Sequence, residues 1–190
     1  MAKVENIALF DMDGTLCDYE SSLLAELNKI RSTEEPKLEY IMHKNVPDYI
    51  KARKDLIINK EEWWANLPKF QLGFDIWKIA EELGYRKMIL TQAPRKNPNA
   101  LSGKLKWIQK NLGDVEFTMT RDKGLVYGKI LVDDFPEYIN RWLDWRPRGL
   151  VIMPANDSNK DYKHDQVIRY DGSNLEYVKE AMEKAKLKPE

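Results

Sequence analysis

The run Ile7-Ala8-Leu9-Phe10 is apolar at every position and gives way at once to Asp11-Met12-Asp13-Gly14-Thr15. So short a strand with no polar alternation must be covered on both faces, the setting of a parallel sheet between helices. The theme recurs. Arg86–Thr91 stops at Gln92-Ala93-Pro94, residues 115–120 stop at Arg121-Asp122-Lys123-Gly124, and Ile130–Val132 stops at Asp133-Asp134. Residues 149–153 stop at Pro154, and 166–170 make a further, shorter candidate. Helical stripes lie between these runs. From Asp75, Ile76, Ile79, Ala80 and Leu83 share one face before Gly84. Asn97-Pro98 caps and starts a helix that places Leu101, Leu105, Ile108 and Leu112 inward. Pro136 opens another, with Ile139, Trp142 and Leu143 facing in, and residues 173–187 form the last. This alternation predicts an α/β fold, a Rossmann-like parallel sheet flanked by helices.

The first two strands break the rhythm. About 75 residues separate Phe10 from Arg86, far more than one crossover needs. Leu23, Leu24, Leu27 and Ile30 form a helical stripe within them, residues 49–58 suggest a second helix, and 61–65 a short third. The reading is a small helical cap, residues 18–72, inserted after the first strand of a core domain made of 1–17 and 73–190.

Charge and cysteine usage remove several classes of function. Lys plus Arg and Asp plus Glu both number 31, so a globally basic nucleic-acid coat is excluded and no stable nucleic-acid partner is expected. One cysteine, Cys17, cannot make a disulfide scaffold or a multi-cysteine zinc site. The longest apolar runs are four residues, too short for a bilayer, and the first residues lack the apolar stretch of a signal peptide. A cytoplasmic protein without a membrane partner is expected. The balance hides a local excess, since residues 86–130 hold 10 basic and 3 acidic residues. Such a field favours a small anionic ligand, although a solvated lysine-rich helix face would give the same count.

The ends of the strands carry the chemistry. Parallel strands deliver Asp11, Asp13, Thr91, Asp133 and Asp134 to one edge of the sheet, where ligands bind, with Lys123 just past another strand. Carboxylates crowded there repel unless a cation joins them, and an all-oxygen donor set suits Mg²⁺ rather than zinc. A hydroxyl and an ammonium suit phosphoryl oxygens. One aspartate is left to attack phosphorus and another to protonate the leaving oxygen.

Asp11-Met12-Asp13-Gly14-Thr15, Thr91, Lys123 and Asp133-Asp134, in that order on those elements, resemble the four motifs of the haloacid dehalogenase (HAD) superfamily of phosphohydrolases. Leu90-Thr91-Gln92-Ala93-Pro94, Gly103-Lys104-Leu105-Lys106-Trp107-Ile108, Asn111-Leu112-Gly113, Thr120-Arg121-Asp122-Lys123 and Leu131-Val132-Asp133-Asp134 are similar to the 5'(3')-deoxyribonucleotidase family. The likeness spans about residues 5–135 and is weak over most of the helical insertion. It implies a HAD-like core with a helical cap and a Mg²⁺-dependent phosphomonoesterase acting on deoxynucleoside monophosphates.

By this resemblance Asp11 is the nucleophile, forming an aspartyl-phosphate, and Asp13 is the acid and then the base. Mg²⁺ is held by Asp11, the backbone carbonyl of Asp13 and Asp134, with Asp133 supporting from behind or through a water. Thr91, Gln92 and Lys123 bind phosphate. Lys129 is closer to Asp133 in sequence but projects from the start of its strand. Tyr19 and Trp64 fall where the family contacts the base; ordinary cap packing is the competing reading for both. Family members can pair as homodimers, and no self-complementary surface is legible here. Three features depart from the pattern: Gln92 stands where a small hydroxyl residue is usual, Phe135 where a basic residue is usual, and the stretch Ile41 to Ile50 lacks an aromatic that matches the rest of the base pocket.

The four motifs treat only the phosphate. A polynucleotide 3'-phosphate, a sugar phosphate or another small phosphate ester therefore remains an alternative substrate. A receiver-like phosphoacceptor module uses similar groups, but in another order and without need of a leaving-group acid such as Asp13. The other notable residues read as structural. Cys17 is expected to be a buried filler, His43 and His164 surface residues, Trp107 and Trp142 core, and Glu34-Glu35 a solvated turn.

Overall fold

The computed structural model describes residues 5–41 and 45–187. His43 lies outside the described residues. The chain forms two compact units, one of Met1–Cys17, Lys69–Ala93 and Val115–Glu190, the other of Asp18–Pro68 and Pro94–Asp114.

The first unit is built on a sheet that has six parallel strands among the described residues. These are β1 (Ile7–Phe10), β2 (Arg86–Gln92), β3 (Phe117–Thr120), β4 (Ile130–Val132), β5 (Leu150–Pro154) and β6 (Val167–Tyr170), in the order β3-β2-β1-β4-β5-β6. The most apolar strand takes the centre, and Ala8, Leu9 and Phe10 are fully buried. Alternation divides its side chains between the two faces. Leu9 joins Leu90, Leu131, Val151 and Met153 in a core closed by Ile139, Trp142 and Leu143 of one helix, Pro136–Leu143. Phe10 meets Trp77 edge-on at 4.8 Å, on the helix Gln71–Glu82. A last helix, Leu175–Leu187, buries Val178, Met182 and Ala185. The α/β parallel-sheet architecture read from the sequence is the one observed, and the six strands fall where expected to within two residues.

The helical unit contains α1 (Tyr19–Lys29), α2 (Asp48–Ile58), α3 (Glu61–Ala65) and a long helix, Pro98–Leu112, that connects β2 to β3. In chain order the Gln71–Glu82 helix is α4, Pro98–Leu112 α5, Pro136–Leu143 α6 and Leu175–Leu187 α7. Leu23, Leu27, Ile50 and Ile57 form a small apolar core between α1 and α2.

Helix α5 buries Ile108 as expected, but the rest of its buried face is turned from the expected one. Ala100, Gly103, Lys104, Trp107 and Ile108 are inside, whereas Leu101 is exposed and Leu105 and Leu112 are only partly covered. Aromatic packing sets this phase. Trp107 donates from Nε1 to Leu67 O (2.7 Å), and Gly103 lies so close to α3 that a Cβ there would be 2.5 Å from Trp64 Cβ. Leucine periodicity weighs apolar length and misses that a glycine can be the contact point.

Of the remaining structural expectations, Cys17 is buried and donates from Sγ to Met12 O (3.3 Å). Trp107 and Trp142 are buried and His164 is exposed. Glu35 departs from a solvated turn, because the Arg53 guanidinium pairs with it and holds its carboxyl below the usual range.

Gly73 at the start of α4 abuts the turn after β1; a Cβ there would lie 1.8 Å from Thr15 O. Backbone cannot yield as a flexible side chain can. Gly73→Ala is expected to destabilise the fold by about 1–3 kcal/mol or more, read as a lower urea midpoint with unchanged slope.

Candidate active site

The site starts from the register of β1 and β4. These neighbours pair Phe10 with Val132, so the residues that follow, Asp11 and Asp133-Asp134, emerge side by side. Asp11 N donates to Val132 O (2.8 Å), extending the ladder by one residue before the chain turns. Carboxylate oxygens of Asp11, Asp133 and Asp134 lie within 4.8 Å of one another, and all three residues are buried.

The turn is closed by Met12 O, which accepts from Leu16 N (2.9 Å) and Cys17 N (2.8 Å). Gly14 adopts φ +75°, and a Cβ there would lie 2.4 Å from Asp134 Oδ2. Only glycine meets both demands. Thr15 then donates its hydroxyl to Asp134 Oδ1 (3.2 Å). Asp13, half-buried in this turn, bridges to Cys17.

Lys123 opens a 3₁₀ turn after β3 and is fully buried. Its Nζ lies 2.8 Å from Asp11 Oδ1 and 2.6 Å from Asp133 Oδ2, and 4.6 Å from the centre of the Tyr138 ring. Burial alone would discharge the ammonium, but the two carboxylates outweigh it and hold the lysine above its ordinary value. Burial raises Asp133, against the pull of Lys123. Lys129, by contrast, donates to Lys186 O (3.1 Å).

The donor set fits a divalent cation. Three carboxylates against one ammonium leave the cluster with two uncompensated negative charges. Asp11 Oδ1 is buried with the Lys123 ammonium 2.8 Å away, and a carboxylate oxygen can be shared between an ammonium and an ion. All the donors are oxygens, as Mg²⁺ requires.

Thr91 is buried at the end of β2; with the Gln92 amide turned to suit its neighbours, its nitrogen donates to Thr120 O (3.3 Å) and its oxygen accepts from Arg121 Nη1 (2.9 Å). Phe135 N donates to Asp133 Oδ1 (3.0 Å). In the helical unit, Tyr19 and Trp64 stand with ring centres 5.6 Å apart, and Trp63 is edge-on to both. Trp64 is almost wholly buried, donates to Ile58 O (2.6 Å) and lies beneath Lys104 Nζ at 5.2 Å. Tyr19 is half-buried.

Sequence reasoning missed Lys104, Tyr138, Asn156 and the part played by Thr15. Asn156 donates to Asp134 Oδ2 (2.9 Å) from a loop whose sequence reads only as a connector.

A parallel sheet with this acid cluster at its strand ends has the HAD-like fold. A haloacid dehalogenase-like hydrolase of solved structure from Burkholderia xenovorans shares the fold, with a TM-score of 0.55, 12% identity, and coverage of 95% of this chain and 99% of that one. The model of the family described as "5' nucleotidase, deoxy (Pyrimidine), cytosolic type C protein" matches residues 5–170, and the chain belongs to that family. It is thereby a phosphoric monoester hydrolase of the 5'-nucleotidase kind. A human 5'(3')-deoxyribonucleotidase, cytosolic type, is 27% identical over 139 residues, 66% of this chain and 69% of that protein. A Bordetella bronchiseptica protein assigned to the 5'(3')-deoxyribonucleotidases is 25% identical over 164 residues, 82% of this chain and 86% of that protein. The resemblance seen in the sequence is borne out. No helix among the described residues is long and apolar enough to cross a membrane.

A cation that binds the folded acid cluster must stabilise it. At a hundredfold excess over its Kd, Mg²⁺ is expected to add about 2.7 kcal/mol, read as a rise in thermal midpoint that a chelator reverses.

Proposed function

We propose that the chain removes the 5'- or 3'-phosphate of deoxynucleoside monophosphates, with Asp11 as the nucleophile. The observation that carries this reading is the Asp11 carboxylate, at the end of the central strand, 2.8 Å from the buried ammonium of Lys123 and within the acid cluster. An Asp11 oxygen attacks phosphorus, the bond to the nucleoside oxygen breaks, and Asp13 gives that oxygen its proton. Asp13 then takes a proton from water as the water attacks the aspartyl-phosphate, restoring Asp11 and releasing inorganic phosphate. Thr91, Gln92 and Lys123 hold the phosphoryl oxygens through charge-assisted hydrogen bonds.

Asp11, the Asp13 carbonyl and Asp134 would hold Mg²⁺, which supplies charge neutralisation at the phosphoryl group when bound. Asp133, whose oxygens are engaged by Lys123 and by Phe135 N, fixes Lys123 rather than the ion.

Substrate choice falls to the helical unit, with Tyr19 and Trp64 as the aromatic contacts to the base. Trp64 is already committed to its own packing, so Tyr19 supplies the adaptable surface. The names carried by the relatives support a deoxynucleotide as the substrate.

Asp11→Asn is expected to keep the fold and lower turnover by several orders of magnitude; wild-type rates in that variant would refute the nucleophile assignment. Tyr19→Ala should lose roughly 1–3 kcal/mol of base stacking, about 5- to 150-fold in KM for a deoxynucleotide, with a smaller change in kcat. The assay is phosphate release across ribo- and deoxynucleotides, sugar phosphates and 3'-phosphorylated oligonucleotides. Preference for an oligonucleotide end, with affinity falling steeply with salt, would replace the mononucleotide reading.

A further inference from the structure

We propose that Asn156 is a positioning residue that fixes the Asp134 carboxylate for the divalent ion, an inference that rests on Asp134 being an ion ligand. The two oxygens of Asp134 are held from opposite sides, Oδ1 by the Thr15 hydroxyl (3.2 Å) and Oδ2 by the Asn156 amide (2.9 Å). Gly14 closes a third side, since a Cβ there would overlap Oδ2. Contacts on both oxygens hold the carboxylate against rotation about χ2. The donor on Oδ2 is a neutral amide. It orients the carboxylate without cancelling the negative charge that attracts the ion, as a lysine or arginine would.

Asn156 is itself fixed. The chain leaves β5 at Pro154 and makes a 3₁₀ turn over Asp157–Asn159, in which Asn156 and Asn159 cap each other. Asn156 Oδ1 accepts from Asn159 N (3.0 Å), and Asn159 Oδ1 accepts from Asn156 N (3.1 Å). Asn159 is fully buried and donates from Nδ2 to the backbone oxygens of Asp134 (3.1 Å) and Pro154 (2.9 Å). Arg169 on β6 locks the pair, donating from Nε to Asn159 Oδ1 (3.0 Å) and from Nη2 to Asn156 O (3.1 Å). Both the backbone and the side chain of Asp134 are thus tied to one short loop. A connector needs only a turn there, whereas this loop also aims an amide at one carboxylate oxygen.

Asn156→Ser separates the two duties of the side chain. Serine keeps an oxygen to accept from Asn159 N, a role it fills well at helix starts, but has no amide to reach Asp134. Direct titration with Mn²⁺, followed by its electron paramagnetic resonance signal in the absence of substrate, should show affinity weakened by about 10- to 100-fold. The melting temperature in chelator should match wild type, and the lost turnover should return as the metal concentration is raised. Asp134→Asn is titrated alongside. Wild-type Mn²⁺ affinity in Asn156→Ser, with binding lost in Asp134→Asn, overturns the proposal and leaves the reading of Asp134 intact. Wild-type affinity in Asp134→Asn overturns both. A fall in the chelator melting temperature that accompanies weaker Mn²⁺ binding marks Asn156 as a residue of the fold, and also overturns the proposal.

Discussion

The Lys123 ammonium, buried between Asp11 and Asp133, is the interaction around which the sheet unit is arranged. A lone buried ammonium would be discharged, and two adjacent buried carboxylates would not both stay ionised. Together they are mutually permitted, and the geometry that permits them is supplied by three separate strand ends. Removing Lys123 would leave two adjacent buried carboxylates without a counter-charge, whereas removing one carboxylate leaves the ammonium its other partner. The cluster nevertheless stays negative once Asp134 is counted, which gives a divalent ion a place there and gives a phosphate, itself anionic, a reason to need one.

Much of this was legible because parallel sheets translate sequence into position simply. Each apolar run that stops at a polar residue delivers that residue to the same edge. Hence Asp11, Thr91 and Asp133-Asp134 could be brought together from positions far apart in the chain, and Lys123 was preferred to Lys129 from the family likeness of Thr120-Arg121-Asp122-Lys123, with strand direction counting against Lys129. What escaped were contacts made by small or neutral residues. Gly103 sets the buried face of α5 because it lets Trp64 approach, whereas periodicity assigns no weight to a missing side chain. Asn156 lies beyond a strand that ends in proline rather than an acid, and nothing in Ala155-Asn156-Asp157-Ser158-Asn159 distinguishes an oriented amide from turn chemistry.

The base contacts are the part least determined by local sequence. Tyr19 and Trp64 can be placed in an aromatic cluster with Trp63, but a cluster is also what a small helical unit needs for its own cohesion. Their burial differs: Trp64 is almost wholly buried with its indole nitrogen satisfied, and Tyr19 is half-buried. Family membership and the acid cluster speak to phosphate; the proposed function assigns the nucleoside to these rings.

The helical unit is drawn from two stretches of chain, Asp18–Pro68 and Pro94–Asp114. It therefore cannot be exchanged as one cassette between relatives. Grafting the first stretch alone would bring in a foreign tryptophan without the glycine that makes room for it, and a loop carbonyl without the indole that Trp107 directs at Leu67. A change at Trp64 or Leu67 in the first stretch would accordingly call for a matching change at Gly103 or Trp107 in the second.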